Sequence, residues 1–534
     1  MLAETAAVTP ATLAPQSPGD LLVHSLSIDP DRPVVIFHDT GRAVTAREFQ
    51  DVAGRYAQAI DTLGLEPGTR IGLLSRNRPE VLFVNGALNF VTSELCTVAL
   101  HPMGSVDDLA YTVDDAHIEA LIFDPDHYQG HARELRERIP HLRHLLALGP
   151  TAVGEDLTAV ATKFEPAPVR GVRRAPEDIS RLSYSGGTTG KPKGIMGSPR
   201  SAAALIDIML KEWEWPSQVR QLVCSPLSHG GGAVFAPTMI KRGSLIVLPG
   251  FEPTAVLEAI QKHRITCVLM VPTMIYALLD HPRLTDYDLS SLEIIYYGAS
   301  SISPTRLKEG IEKLGPIFFQ FYGQAEAPMT LSVMKRAEHD PDNPARLASC
   351  GRPVPWVRVE LLDDHARPVP DGEPGEICAQ GQLVMSGYLN KPEATAAAFE
   401  DGWLHTGDIA VRDADGFLRI VDRKKDMIVT GGFNVYPREV EDVLSSHPAI
   451  AEAAVIGVPD ERWGEAVTAI VVLREGAEVP ENELIALVRT AKGPVQAPKR
   501  VVFAPSIPRT GLGKPDKKVL RAEYATAASG SGSH

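Results

Sequence analysis

The chain has 534 residues, 44% of them apolar and 22% charged, a globular balance long enough for a large buried core plus a smaller second unit. Its net charge of −14 lacks the basic surplus of a nucleic-acid binder. No apolar run approaches the ~18 residues of a membrane-spanning helix.

Residues 1–18, rich in Ala, Thr and Pro, are expected to be loose. With no basic stretch leading into an apolar one, no secretory signal is read, and a cytoplasmic protein is expected. Thr45 and Glu48 form a capping-box pattern opening a helix through Ala59. The Pro67-Gly68 turn leads into a strand, Ile71–Leu74. Further strands are expected at Ala120–Phe123, Arg181–Tyr184, Leu245–Leu248, Cys267–Val271 and Ile294–Tyr297, with helical stretches such as Ala255–Lys262 between them. This alternation predicts an α/β fold of parallel-rich sheets covered by helices.

The pattern changes near residue 420. A charged run, Asp422 to Asp426, is followed by a helix Pro437–Ser446, strands Ala453–Ile456 and Val467–Leu473, and a helix from Glu481. We read residues 19–422 as a large multi-sheet unit, 423–427 as a hinge and 428–528 as a small α+β unit. The stretch Ser529–His534 reads as an appended tail. The five cysteines (Cys96, Cys224, Cys267, Cys350 and Cys378) are scattered, with no CxxC or Cys/His cluster, and are expected to be free thiols in a reducing compartment.

One loop concentrates phosphate-binding chemistry. Ser183–Gly194 reads SYSGGTTGKPKG. Its glycines permit turns and close backbone approach, and successive N–H groups in such turns cradle an anion. Ser185, Thr188 and Thr189 add hydroxyls; Lys191 and Lys193 add positive charge. The loop is not a Walker A motif, because Ser185 and Pro192 break the required pattern. No GxSxG elbow of a serine hydrolase is found.

The loop resembles the signature of the adenylate-forming superfamily, which spans acyl-CoA synthetases, peptide-synthetase adenylation domains and luciferases. Other family-like segments follow in the usual order: PLSH at Pro226–His229, YYGAS at Tyr296–Ser300, YGQAE at Tyr322–Glu326 and GWLHTGD at Gly402–Asp408. DRKKDMIVTGGFNVYPREVE at Asp422–Glu441, GVPDERWGE at Gly457–Glu465 and PRTGLGKPDKKVLR at Pro508–Arg521 complete the series. The pattern looks most like a bacterial fatty-acid-type acyl-CoA ligase.

The resemblance implies a large domain that binds ATP and acid, and a small domain that rotates between two half-reactions. It implies that Ser185, Gly186, Gly187, Thr188, Thr189, Gly190 and Lys193 hold the phosphates, with Thr188 contributing to catalysis. Gly298, Ala299 and Ser300 would wall one side of the adenine pocket. Gln320, Tyr322 and Gly323 would form the other, with Tyr322 placed to stack on the base. Asp408 would bind the ribose hydroxyls, Arg423 the ribose and phosphate, and Glu326 the Mg²⁺. Lys514 would be the catalytic lysine and Lys425 the hinge residue. Gly431 and Gly432 would line a pantetheine tunnel. Trp463 either faces the coenzyme A adenine or packs as an ordinary aromatic. His229, Gly298 and Gln324 would surround the acyl group. The glycines after His229 either leave room for a bulky chain or make a turn before the next helix. Lys517 and Lys518 read as surface charges.

Two departures stand out. Ser185-Gly186 replaces the usual Thr-Ser, and Ala325 replaces a Thr whose hydroxyl normally meets the α-phosphate. The expected reaction is ATP-dependent activation of a fatty or aryl carboxylic acid to an acyl-AMP, followed by transfer to coenzyme A. The alternatives are transfer to an amine or to a carrier protein, and a homologue that binds nucleotide or acid with impaired catalysis.

Overall fold

The structure is a computed structural model that describes residues 18–88, 94–167, 169–171, 174–184, 191–424, 426–431, 433–460, 462–509 and 515–529. Two large mixed sheets dominate it. A nine-stranded sheet has the parallel run Phe318–Gln324, Ile294–Tyr297, Cys267–Met270, Arg220–Val223, Ser244–Val247 and Pro33–Phe37, with antiparallel strands at its edges. An eight-stranded sheet has the parallel run Arg181–Tyr184, Cys96–Ala99, Arg70–Leu74, Ala120–Phe123 and His144–Ala147. The expected α/β class is therefore what the chain adopts.

In the large unit the strands expected from apolar runs fall where the sequence puts them, to within a residue, whereas the C-terminal pair expected at Ala453–Ile456 and Val467–Leu473 runs longer, over Ile450–Asp460 and Gly464–Leu473. Ala120–Phe123, Cys267–Met270 and Ile294–Tyr297 are buried on both faces, which is why they read as unbroken apolar runs. The expected cap on Ala46–Asp61 is half made. Thr45 accepts the Glu48 N–H, but the Glu48 carboxylate pairs with Arg42 at 3.0 Å instead of returning to the cap. All five cysteines are buried free thiols.

A five-stranded antiparallel sheet follows, built on Arg358–Leu362, Pro374–Gln380 and Trp403–Arg412, with Leu418–Arg423 pairing to the last of these. A further five-stranded sheet contains the long hairpin Ile450–Asp460 and Gly464–Leu473. Helices Pro437–Ser445 and Glu481–Lys492 pack on it through Val440, Leu444, Leu484 and Val488. The helix Lys517–Ser529 extends into the expected tail by one residue, and Pro18 already opens the helix Pro18–Ile28.

Candidate functional site

A cavity of about 1470 Å³ opens between the two large sheets, the first antiparallel sheet and the C-terminal helix. It exceeds the upper end of ordinary ligand pockets, about 1,000 Å³, and has room for more than one small molecule.

One corner is organised around Asp408. The strand Trp403–Arg412 pairs antiparallel with Leu418–Arg423, which sets Asp408 opposite Arg423. Asp408 is 3% exposed. Its Oδ2 accepts the Tyr322 hydroxyl at 2.7 Å and its Oδ1 meets Arg423 Nε at 2.9 Å. A carboxylate has about four lone-pair sites, so acceptor capacity remains for a vicinal diol. Tyr322 is thus given a hydroxyl task that its match to the family motif did not reveal. Burial, and then the Asp408 charge, push its pKa well above the ordinary tyrosine value, so the phenol stays a donor.

A buried group stands behind this corner. The Glu376 carboxylate accepts the Gly407 N–H at 2.9 Å, His405 Nδ1 at 3.1 Å and Lys424 Nζ at 3.2 Å. Burial opposes its ionisation, but these bonds hold its pKa below the usual value. Cys378 lies 3.4 Å from His405 Nδ1, with its thiol pushed up to about 12 by burial and then by Glu376. A protonated thiol beside a lysine-paired carboxylate is a poor metal set, so this trio reads as support for the Asp408 turn.

Glu326 faces the same cavity. Its Oε1 accepts the Tyr388 hydroxyl at 2.9 Å, and Oε2 has no partner among the described residues. Lys193 Nζ sits 4.6 Å from the centre of the Tyr388 ring, so cation, phenol and carboxylate form one chain. Gln320 also lines the cavity, and its buried Oε1 has no hydrogen-bond partner among the described residues. An orphaned buried acceptor of this kind calls for a donor from a ligand. One free carboxylate oxygen and one orphaned amide fit a hydrated Mg²⁺ and a nucleobase amine.

Ala299 and Ser300 form the cavity rim, with Ala299 held at φ 64°, a strained backbone for an L-residue. Gly298 does not line the cavity. A Cβ there would stand 2.4 Å from the Phe321 carbonyl oxygen, so the neighbouring strand requires the glycine. Gly323 borders the cavity but is demanded by packing too, since its Cβ would meet the Met329 nitrogen at 2.4 Å. Gln324 lines the cavity and donates to the Thr406 carbonyl at 3.2 Å.

His229 stands on the opposite wall, with Nδ1 2.8 Å from Ser228 Oγ and its ring 4.8 Å from that of His101. Burial, then His101 and Arg181, lower its pKa to about 4, so it is neutral at physiological pH. Both readings of the glycine run have support: it forms a helical turn, and Gly230 and Gly232 line the cavity. Gly230–Ala233 is one helical turn, and Cβ atoms at Gly231 and Gly232 would meet backbone oxygens at 2.5 and 2.2 Å.

The C-terminal unit turns Pro515, Lys517, Lys518 and Arg521 to the cavity. Lys518 is exposed, as expected of a surface charge, but Lys517 is not. It pairs with Glu441 at 2.8 Å. Burial alone would lower its pKa, but Glu441 and Asp422 raise it. Gly431 and Trp463 do not line the cavity. Gly431, at φ 58°, donates to the Trp463 carbonyl at 2.7 Å. The Trp463 ring is flanked by Arg462 and Lys499 at 4.8 and 5.2 Å.

Ser185, Gly186, Gly187, Thr188, Thr189, Gly190, Lys425, Gly432 and Lys514 lie outside the described residues. Of the other expected residues, Lys193, Ala299, Ser300, Gln320, Tyr322, Gly323, Gln324, Glu326, Asp408 and Arg423 converge, or border one space with His229. Tyr388 and Lys517 join them without having been singled out. Tyr388, on the two-residue strand Gly387–Tyr388, carried no distinguishing signal.

The model for the AMP-binding enzyme family matches residues 23–389, and that for the AMP-binding enzyme C-terminal domain matches residues 439–514. The chain is 50% identical over 524 residues to the medium/long-chain-fatty-acid–CoA ligase FadD8 of Mycobacterium tuberculosis, covering 96% of this chain and 90% of that one. It superposes on the amide bond synthetase McbA of Marinactinospora thermotolerans with a TM-score of 0.86 at 34% identity, covering 95% and 100% of the two chains. ATP-bound MatB from Rhodopseudomonas palustris gives a TM-score of 0.86 at 28% identity, covering 95% and 99%.

Proposed function

We infer the reaction from one premise: this chain belongs to the AMP-binding enzyme family. It is an ATP-dependent, AMP-forming acid–thiol ligase. The acid carboxylate attacks the α-phosphorus of ATP, the bond to the β-phosphate oxygen breaks, and acyl-AMP and pyrophosphate result. The thiol sulfur of coenzyme A then attacks the acyl carbon, its proton is lost to solvent, and AMP leaves.

The observation that carries this reading is the convergence of Asp408 with Tyr322 and Arg423, Gln320 with its orphaned oxygen, and Glu326 on one cavity that also reaches His229. In the roles we propose, Asp408 accepts the ribose hydroxyls while Tyr322 and Arg423 hold its orientation. Gln320 accepts from the adenine amine. Glu326, steadied by Tyr388, would hold Mg²⁺, which supplies charge neutralisation on the phosphates. Neutral His229 borders the acyl space. Lys514 follows on the chain just before Pro515, a cavity residue, which supports its delivery to the reacting phosphate.

Cavity-facing Pro515 and Lys517, with Gly431 turned away, suit the first half-reaction. For the second we propose rotation about residues 423–427. It would part the Arg438 N–H from Asp422 (2.9 Å) and Arg419 from Glu439 (3.2 Å).

The likeness to an amide bond synthetase favours one alternative, an amine acceptor. Pyrophosphate release across a panel of fatty and aryl acids, with and without coenzyme A, tests both readings. Acid-dependent release that yields a thioester and collapses in Lys514→Ala supports the ligase. Release that yields an amide with an added amine, and no thioester, replaces coenzyme A as acceptor.

A further inference from the structure

The eight-stranded sheet presents alternate residues to the cavity. Leu73, Thr97, Arg181 and Gly197, each on a different strand, face it. Arg181 lies between Thr97 and Gly197 in register. Gly197 has no side chain to fill the neighbouring space; a Cβ there would stand 3.7 Å from that of Arg181. The next residue, Leu182, points to the opposite face and is fully buried. Period-two geometry therefore sends the Arg181 guanidinium into the cavity, and its accessible surface opens there.

This guanidinium has no hydrogen-bond or ion-pair partner among the described residues. Burial is the one influence on its pKa and lowers it, with no carboxylate offsetting the effect. The charge it does affect is that of His229, which it further discourages from protonating. The Arg181 side chain is exposed to the cavity and unpaired among the described residues, and a guanidinium matches a carboxylate through two parallel hydrogen bonds. Arg181 sits three residues before Tyr184, the last residue ahead of the glycine-rich loop, so it lies about 10 Å back along the strand from that loop. An acid whose reacting carboxyl lies at the loop can therefore extend its other end toward Arg181.

We propose that Arg181 selects acids that carry an acceptor oxygen at the end remote from the reacting carboxyl, a second carboxylate foremost, by binding that oxygen with its guanidinium. The proposal rests on the acid-ligase reading and narrows its substrate class. A methyl-terminated chain leaves the cation unpaired, whereas a distal carboxylate neutralises it.

The test compares four length-matched acids on the full chain at saturating ATP and coenzyme A: methyl-terminated, ω-hydroxy, ω-oxo and α,ω-dicarboxylic. The expected kcat/KM for the diacid exceeds that of the methyl-terminated acid by at least about tenfold, with the neutral oxygens between. Arg181→Leu inverts the order and leaves the KM for ATP unchanged, while Arg181→Lys keeps part of the preference. A wild-type preference for the methyl-terminated acid overturns the proposal, as does an equal loss on all four acids in Arg181→Leu. Titration of the diacid into wild type and Arg181→Leu without ATP reads the contact apart from turnover. A dissociation constant raised about tenfold in the variant supports it, and equal constants overturn it. If turnover is absent for every acid while this binding difference holds, it is the ligase reading that fails.

Discussion

Replacing Tyr322 by Phe removes one hydroxyl from the ribose corner and nothing else. The lost bond is 2.7 Å long and runs to a carboxylate only 3% exposed. A hydrogen bond to a charged acceptor is worth about 1.5–3 kcal/mol, and 1.36 kcal/mol is a factor of ten, so kcat/KM for ATP should fall by about 10–150-fold. Arg423 still holds the other Asp408 oxygen, but its side chain is 46% exposed and its grip is screened by water. We therefore expect the lower half of that range. Pyrophosphate release would be followed with ATP varied at saturating acid, and then with acid varied at saturating ATP. The ATP term should carry the loss, with the acid KM changing less than about twofold. A loss under about threefold would refute the idea that Tyr322 orients Asp408. An equal rise in both KM values would instead point to a general disturbance of the cavity.

Glu326→Gln should raise the magnesium concentration needed for half-maximal pyrophosphate release by about 10–100-fold, and an unchanged magnesium titration would remove Glu326 from the metal site. Ala325 is exposed to the cavity, and Ala325→Thr should raise the adenylation rate by up to about tenfold through one added hydrogen bond. No gain would mean that this site does without the hydroxyl. His339 is 6% exposed, and burial lowers its pKa to about 4 despite bonds to Tyr297 and the Lys335 carbonyl. Because the folded pKa is depressed, its stabilisation is present above the unfolded value near 6.5 and is lost as pH falls through 4, on the order of 3 kcal/mol in all. Asp422, raised to about 6 by burial, has the opposite sign and destabilises as pH rises from about 4 to 6. Thermal unfolding between pH 7 and 4 should show a shallower acid loss in His339→Gln than in wild type; parallel profiles would refute the assignment.

The parts legible in the sequence are those in which one local pattern has one physical solution. A strand such as Ile294–Tyr297, buried on both faces, must read as an unbroken apolar run. Asp408 and Arg423 stand in segments that resemble the family's motifs, and an antiparallel pair brings them together. Glycines were harder, because one residue type answers two demands. The family resemblance puts Gly298 in a ligand pocket, but the Phe321 carbonyl and ring are what leave no room for a side chain there. The same ambiguity governed Gly231 and Gly232. Charges and hydroxyls were hardest, because their meaning lies in partners distant along the chain. The Tyr322 hydroxyl finds its acceptor 86 positions away. Lys517 looked like a solvated helix charge until Glu441 and Asp422 closed around it. Arg181 is the converse. The sequence predicts its strand, but an arginine that a strand turns into a cavity ordinarily implies a carboxylate nearby, and among the described residues none pairs with it. A cation turned into the cavity without a counter-charge among the described residues leaves that role to what binds, and under the proposal this makes the acid, rather than the nucleotide, the part of the reaction that this chain specifies most individually.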